Sequence, residues 1–322
     1  MNEQLVSEQA MSDQLIIIDW GTSNFRAFLV DAASGECLDS RRAESGIRAL
    51  ESAEFPHYCR KQVDDWRDGG RVPVYLAGMV GAKRGWHEAP QLELPVDLAT
   101  LAEHVVAAPG LDNAWLVPGV KIVAPDSKHD HDDTGLVDVM RGEEVQIFGA
   151  LAQAGNESGV CCVPGTHSKW ARVEQGQLKH FVTAMTGELY HAVRFHTLPG
   201  EPAREEADFN EATFRLGCER VMGDGGVLHA LFEARSRHLY AGLAAEQVGS
   251  FLSGVLIGEE VRAMQKRYPE LASLHLIGAE RLQQPYRVAL EAAGISVQFC
   301  GSDAATLEGV RALALQHKRN TH

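Results

Sequence analysis

Positive charge is in short supply in this chain: 30 lysines and arginines stand against 44 aspartates and glutamates, a formal net charge of −14 over 322 residues. That balance disfavours nonspecific binding to DNA or to acidic membranes as the main activity. A small anionic substrate stays admissible, because a few local cations override the global field. No apolar run reaches transmembrane length. The opening "MNEQLVSEQAMSDQ" lacks the basic and apolar regions of a secretion signal, so residues 1–13 read as a frayed polar tail. Cysteine is sparse as well, and Cys37, Cys59, Cys161, Cys162, Cys218 and Cys300 form no C-x-x-C pair. Cys161 and Cys162 are adjacent in "GVCCV", where successive side chains face opposite sides of a strand. Reduced core thiols in a cytoplasmic protein fit this better than disulfides or zinc.

What remains is an ordinary globular composition, 45% hydrophobic and 23% charged, long enough for one large or two ordinary domains. Strand-like and helix-like segments alternate, which predicts an α/β fold. "LIIIDW" and "FRAFLVD" predict a hairpin, "VPVYLAGMV" a buried strand ending in glycine, and "EEVQIFGALAQAG" a helix closed by glycine. "GVCCVPGTHSKWARVEQGQLKHFVT" predicts three strands joined by two turns. From about Gly187 to Met264 the pattern is mostly helical, before "SLHLIGAERL" and "ISVQFC" return to strand.

Within this order "IIIDWGTSNFRAFLV" at 16–30 is echoed by "VCCVPGTHSKWARV" at 160–173. Setting Gly21 on Gly165 puts Thr22 on Thr166 and Ala27 on Ala171. Two unrelated hairpins could share the Gly-Thr dipeptide; alternatively, two similarly built lobes each present one such hairpin. The second reading predicts lobes at 14–150 and 151–322. Neither hairpin is a P-loop, since no G-x-x-x-x-G-K-[ST] is present and a strand, not a helix, follows the turn. Consecutive amides in a tight turn still form an anion-binding concavity, and glycine lets a phosphate approach closely. Asp19 at the mouth of the first turn would repel phosphate directly but can act through Mg²⁺, which needs only one or two carboxylates. Asp19 could equally cap the turn.

Phosphoryl transfer to a hydroxyl also needs a carboxylate to orient and deprotonate the acceptor. Glu143 and Glu144 open a helix in "MRGEEVQIFGA", after Arg141 and a glycine. Acidic residues suit a first helical turn for dipole reasons alone, but Arg141 beside them could pair bidentately with a substrate carboxylate. The Gly-rich "GMVGAKRGWHEAP" carries Lys83 and Arg84, and reads either as a substrate wall or as a solvated loop. "TAMTGELYH" offers Thr186 and Glu188, the latter a rival base. His167 and Lys169 read as part of the second turn itself, where either could contact phosphate or substrate, and Gly278 could let an adenine ring approach the backbone. The "HDHDD" run at 129–133 reads as a solvated acidic loop.

"DWGTSNFRAFLVD" resembles the first phosphate motif of the actin/hexokinase/Hsp70-type ATPases, "PGTHSKW" their second, and "IGAERL" their adenosine motif. More closely, "IDWGTSNFRAFLVD", "AGMVGAKRGWHEAP", "DVMRGEEVQIFGA", "PGTHSKWARV", "FVTAMTGELYH" and "FLSGVLIGEEV" resemble, in wording and order, the 2-dehydro-3-deoxygalactonokinase family. The resemblance covers about residues 14 to 315; the polar tail and the loop "APDSKHDHDDTGL" depart from it. It implies a two-lobed ribonuclease-H-like fold with ATP in the cleft between the lobes. It implies phosphorylation of the 6-hydroxyl of 2-dehydro-3-deoxy-D-galactonate. Asp19 would hold Mg²⁺; Gly21, Thr22 and Ser23 would grip one side of the phosphate chain, and Gly165, Thr166 and His167 the other. Glu143 or Glu144 would be the base. Arg26, Lys83, Arg84, Arg141 and Lys169 form the pool of cations for the substrate carboxylate and the transition-state charge. A kinase for a related 2-keto-3-deoxy sugar acid, a non-catalytic ATP-binding regulator and a polyphosphatase-type hydrolase of the same fold are the competing readings. A homodimer stays open.

Overall fold

A computed structural model describes residues 13–123 and 136–320. The polar tail up to residue 12 and the "HDHDD" run lie outside the described residues. The chain divides into two compact units, one running to Ala152 and resuming at Thr306, the other spanning Gln153–Ala305.

The first unit contains β1 (Gln14–Trp20), β2 (Phe25–Asp31), β3 (Cys37–Ala43), α1 (Phe55–Val63), β4 (Val74–Ala77), β5 (Gln91–Glu93), α2 (Leu98–Glu103), β6 (Val106–Ala107), β7 (Ala114–Leu116), β8 (Gly119–Val123) and β9 (Val137–Met140). Helix α3 (Glu143–Gln153) closes its continuous stretch. The main sheet has the order β3-β2-β1-β4-β7-β6, and β5-β8-β9 form a smaller one. Strand β1 is central, antiparallel to β2 and parallel to β4. A strand covered on both faces needs a continuous apolar run, and Leu15 to Ile18 are at most 1% exposed. Trp20 anchors the core beneath the first turn, with its ring 4.8 Å from Phe25 and 5.0 Å from Phe55.

The second unit contains β10 (Gly159–Val163), β11 (Ser168–Glu174), β12 (Gln177–Ala184), α4 (Thr186–His196), α5 (Glu211–Val221), α6 (Gly226–Tyr240), α7 (Ala245–Arg267), β13 (Ser273–Gly278), α8 (Glu280–Ala292) and β14 (Ser296–Gly301). Its sheet runs β12-β11-β10-β13-β14. Here too the central strand is antiparallel to the strand that follows it and parallel to one that arrives after a crossover. The sequence echo is therefore a repeated topology. The repeat is inexact at the turns: Trp20 pairs with Phe25 across four residues, whereas Val163 pairs with Lys169 across five.

The last helix, α9 (Ser302–Asn320), does not stay with the second unit as a lobe boundary at 151–322 would have it. Its contacts hold it to the first. Gln146 Nε2 donates to Thr306 Oγ1 at 3.1 Å, and the buried Tyr75 hydroxyl meets His317 Nδ1 at 2.8 Å.

Candidate active site

The four-residue turn after β1 is held from below. Gly21 N–H donates to Asn24 O at 2.9 Å, while Ile47 N–H donates to Gly21 O at 3.0 Å and Trp20 Nε1 to Ser45 O at 2.9 Å. The backing segment, 45–48, was missed in the sequence, where "SGIR" looks like any loop. Among the described residues, the amides of Thr22 and Ser23 donate to no protein acceptor.

Asp19 sits opposite Arg26 in the β1–β2 register, and the two side chains form an ion pair through Asp19 Oδ2. Alternation along a strand dictates this: residues facing each other across a hairpin point to the same side. Arg26, expected among cations for the substrate, is thus the partner of the carboxylate expected to hold a metal.

Two glycines bring distant blocks to Asp19. Gly78, at the end of β4, has φ 92° and ψ −158°, a region essentially reserved for glycine. A Cβ there would lie 3.0 Å from Trp20 O and 3.2 Å from Asp19 Oδ1. Gly142, at φ 108°, would with a Cβ come within 3.0 Å of the Gly78 Cα. The blocks "DWGT", "AGMVG" and "MRGEE" therefore meet at one place in the first unit.

The two glutamates after Gly142 have different surroundings. Glu144 is fully buried, and both its carboxylate oxygens lie 2.8 Å from the Gly142 amide that donates to them. Burial, with the Glu143 charge adding to it, pushes the Glu144 carboxyl up to about 7. Glu143 is half-buried, and its Oε2 accepts from Arg141 N–H at 3.2 Å.

Arg141 itself is 9% exposed, and its Nη2 donates to the Ala89 carbonyl at 2.8 Å. Burial pushes its guanidinium pKa down, against the pull of the Glu144 and Glu88 charges. Through Nη2 it braces the Gly-rich loop from inside, while its buried Nη1 has no hydrogen-bond partner among the described residues. That loop is pinned again by the buried Trp86, whose Nε1 donates to Pro109 O at 3.0 Å. Lys83 and Arg84, between these anchors, are exposed.

In the second unit Gly165, Thr166 and His167 are exposed, and among the described residues their amides donate to no carbonyl. The start of α4 packs on this turn: Glu188 N–H donates to Thr166 O at 2.9 Å, and a Cβ on Gly187 would overlap the Gly165 carbonyl oxygen. His167 Nε2 lies 2.7 Å from Glu188 Oε2. Gly278 ends β13 beside Pro164, whose Cδ would be 3.6 Å from a Cβ there. The second turn and Gly278 thus share the carboxyl edge of the parallel strands, where open α/β sheets bind ligands.

Two residues expected at the substrate are internal. Lys169 is 5% exposed, with Nζ donating at 2.8 Å to Oγ1 of Thr183, its cross-strand neighbour. Thr186 is buried and donates to Glu260. Glu260, on α7, also accepts from Ser168 Oγ at 2.6 Å, Trp170 Nε1 at 2.7 Å and Tyr286 OH at 2.8 Å. Burial pushes its carboxyl pKa up, against the four donors that favour the charge. One signal could have found it: Ile257, Glu260, Val261 and Met264 share one helical stripe, and a charge among apolar residues needs partners.

A strand-turn-strand unit repeated at a corresponding place in two sheets of like topology is the layout of an actin-like, ribonuclease-H-like α/β fold. Component A of (R)-2-hydroxyglutaryl-CoA dehydratase from Acidaminococcus fermentans shares the fold with a TM-score of 0.52 at 11% identity, over 97% of this chain and 100% of that one. Within the class, residues 19–313 match the model of the 2-keto-3-deoxy-galactonokinase family, and the chain belongs to that family. It is 36% identical over 307 residues to the 2-dehydro-3-deoxygalactonokinase of Escherichia coli strain K12, covering 94% of this chain and 98% of that protein. A Sinorhizobium meliloti crystal structure, of a protein provisionally named a 2-dehydro-3-deoxygalactonokinase, superposes with a TM-score of 0.84 at 32% identity, covering 93% of this chain and 98% of that one.

Proposed function

We propose that the chain transfers the γ-phosphoryl group of ATP to the 6-hydroxyl of 2-dehydro-3-deoxy-D-galactonate, releasing ADP and the 6-phosphate. The observation that carries the reading is the meeting of Asp19, Gly78 and Gly142, which brings the segment leading into Glu143 up to the strand end that precedes the Gly21–Ser23 turn. The amides and hydroxyls of Thr22 and Ser23, with the Gly21 backbone, bind phosphate oxygens. So do the amides of Gly165, Thr166 and His167, and Gly278 leaves the adenine a backbone edge without a side chain.

Among the described residues no cluster of three or more His, Cys, Asp or Glu side chains forms a metal cage. Mg²⁺ carried in on phosphate needs less, and the residues fit it: Asp19 Oδ1 faces the side of Gly78 that a Cβ would otherwise fill. Asp19 would hold the ion, directly or through water, with Arg26 keeping the carboxylate oriented through its other oxygen. When bound, Mg²⁺ neutralises charge on the β- and γ-phosphates.

Glu143 accepts the 6-hydroxyl proton as that oxygen bonds to the γ-phosphorus and the bond to the bridging oxygen of ADP breaks. Its half-exposed carboxylate can meet a substrate, and the Arg141 amide holds it in place. Glu144, buried and with its pKa raised to about 7, carries less than a full charge at neutral pH and repels its neighbour less. Lys83 and Arg84 face the substrate carboxylate. Glu188 orients His167 beside the second turn. The six free cysteines suit a cytoplasmic site for the reaction.

A coupled ADP assay across a panel of 2-keto-3-deoxy sugar acids tests the reading. ADP release that depends on 2-dehydro-3-deoxy-D-galactonate is expected. Cleavage of polyphosphate instead would make the chain a hydrolase, and neither activity would make it a regulator.

A further inference from the structure

Glu260 is far from the turns in sequence and touches no group that reacts, yet its partners are unusually placed. Ser168 immediately follows the second turn. Thr186 opens α4, whose next two residues pack on Gly165 and Thr166. Both hydroxyls end on the same buried carboxylate, Ser168 on Oε1 and Thr186 on Oε2. Trp170 and Tyr286 complete the set, one on each oxygen. No cation is among these partners.

We infer that Glu260 is a positioning residue for ATP: it gathers the two segments that flank the Gly165–His167 turn and fixes the turn's amides where the phosphates bind. Four donors fill the acceptor capacity of an ionised carboxylate, and a fully satisfied buried network has one geometry. An amide cannot reproduce it. Glutamine would keep its oxygen for Ser168 and Trp170, since an indole N–H only donates. Its NH₂ would then face Thr186 and Tyr286, whose hydroxyls must reverse to accept.

The inference rests on the reading that this turn binds ATP phosphates. Its test compares the partners of one carboxylate with each other. Ser168→Ala and Thr186→Val remove contacts made next to the turn. Tyr286→Phe removes an equally buried contact, made from α8. For each variant and for Glu260→Gln, ATP Kd is measured by calorimetry, with melting temperature and the KM values for ATP and sugar acid. Ser168→Ala and Thr186→Val are expected to weaken ATP binding about tenfold, the loss that follows from one charge-assisted hydrogen bond. Sugar-acid KM should stay within about twofold. Tyr286→Phe should lower the melting temperature about as much as Ser168→Ala and Thr186→Val do, while leaving ATP Kd within about twofold. Glu260→Gln should fold and weaken ATP binding. The inference is overturned if ATP Kd is unmoved in both Ser168→Ala and Thr186→Val, or if Tyr286→Phe moves it equally. Wild-type protein that binds ATP but shows no sugar-acid-dependent turnover would sink the substrate assignment and leave these comparisons valid.

Discussion

Gly78→Ala should slow the reaction sharply while leaving the protein folded. The native φ of 92° with ψ of −158° is a region that costs a residue with a Cβ about 1–3 kcal/mol. The new methyl would also sit 3.0 Å from Trp20 O and 3.2 Å from Asp19 Oδ1. Backbone on one side cannot yield far, so Asp19 or the Gly142 loop must shift by several tenths of an ångström. Misplacement on the order of 1 Å at a reacting centre lowers rates by about a hundredfold. Gly155→Ala is the matched control: its φ is 67°, and nothing lies within 4 Å of the added Cβ. It should lose about 1–2 kcal/mol of stability from backbone strain alone and keep its kcat. Urea unfolding and the coupled ADP assay read the two quantities separately. If Gly78→Ala retains kcat within about fivefold of wild type, less than 1 kcal/mol on the barrier, the crowding at Asp19 has no catalytic meaning.

Glu143→Gln should lower kcat by about 10²–10⁴ with little change in ATP KM, measured in the same assay; near-normal turnover would remove Glu143 as base. Glu144 gives a pH signature instead. Its carboxyl is raised from 4.5 to about 7 on folding, so the folded state binds the proton more tightly. The associated stability is complete below pH 4.5, falls as pH rises, and is gone above about 7, a change on the order of 3 kcal/mol. Urea unfolding at pH 5 and pH 8 should therefore show Glu144→Gln gaining on wild type at the higher pH. Asp19→Asn should raise the Mg²⁺ concentration for half-maximal rate by about tenfold or more, seen in a metal titration at fixed ATP. Lys83→Ala and Arg84→Ala should raise sugar-acid KM while leaving ATP Kd in place.

Most of the framework was legible because period and punctuation agree with tertiary context. The apolar run before Asp19 could only be a covered strand, and the Gly-Thr turns announced both hairpins. The start of α3 at Glu143 followed from its pattern. The placements that sequence could not supply share one cause. Arg141, Lys169 and Thr186 have the chemistry of a site, but burial turns that chemistry inward to brace a loop, a strand pair and a helix start. Whether a cation faces solvent depends on contacts from elsewhere in the chain, as with Arg141 and the Ala89 carbonyl 52 positions away. Arg26 was closer to legible: a four-residue turn fixes it opposite Asp19, had the turn length been known. Glu260 depended on partners up to 92 positions distant, and only its place in an apolar stripe hinted at them.

The hydroxyl that receives the phosphoryl group, and the acid that carries it, define the activity. Phosphorus NMR of the product formed from ATP and 2-dehydro-3-deoxy-D-galactonate tests it most directly. The predicted result is one new phosphomonoester signal coupled to the protons of carbon 6, appearing in step with ADP. Inorganic phosphate as the sole product, or a signal from another carbon, would contradict it.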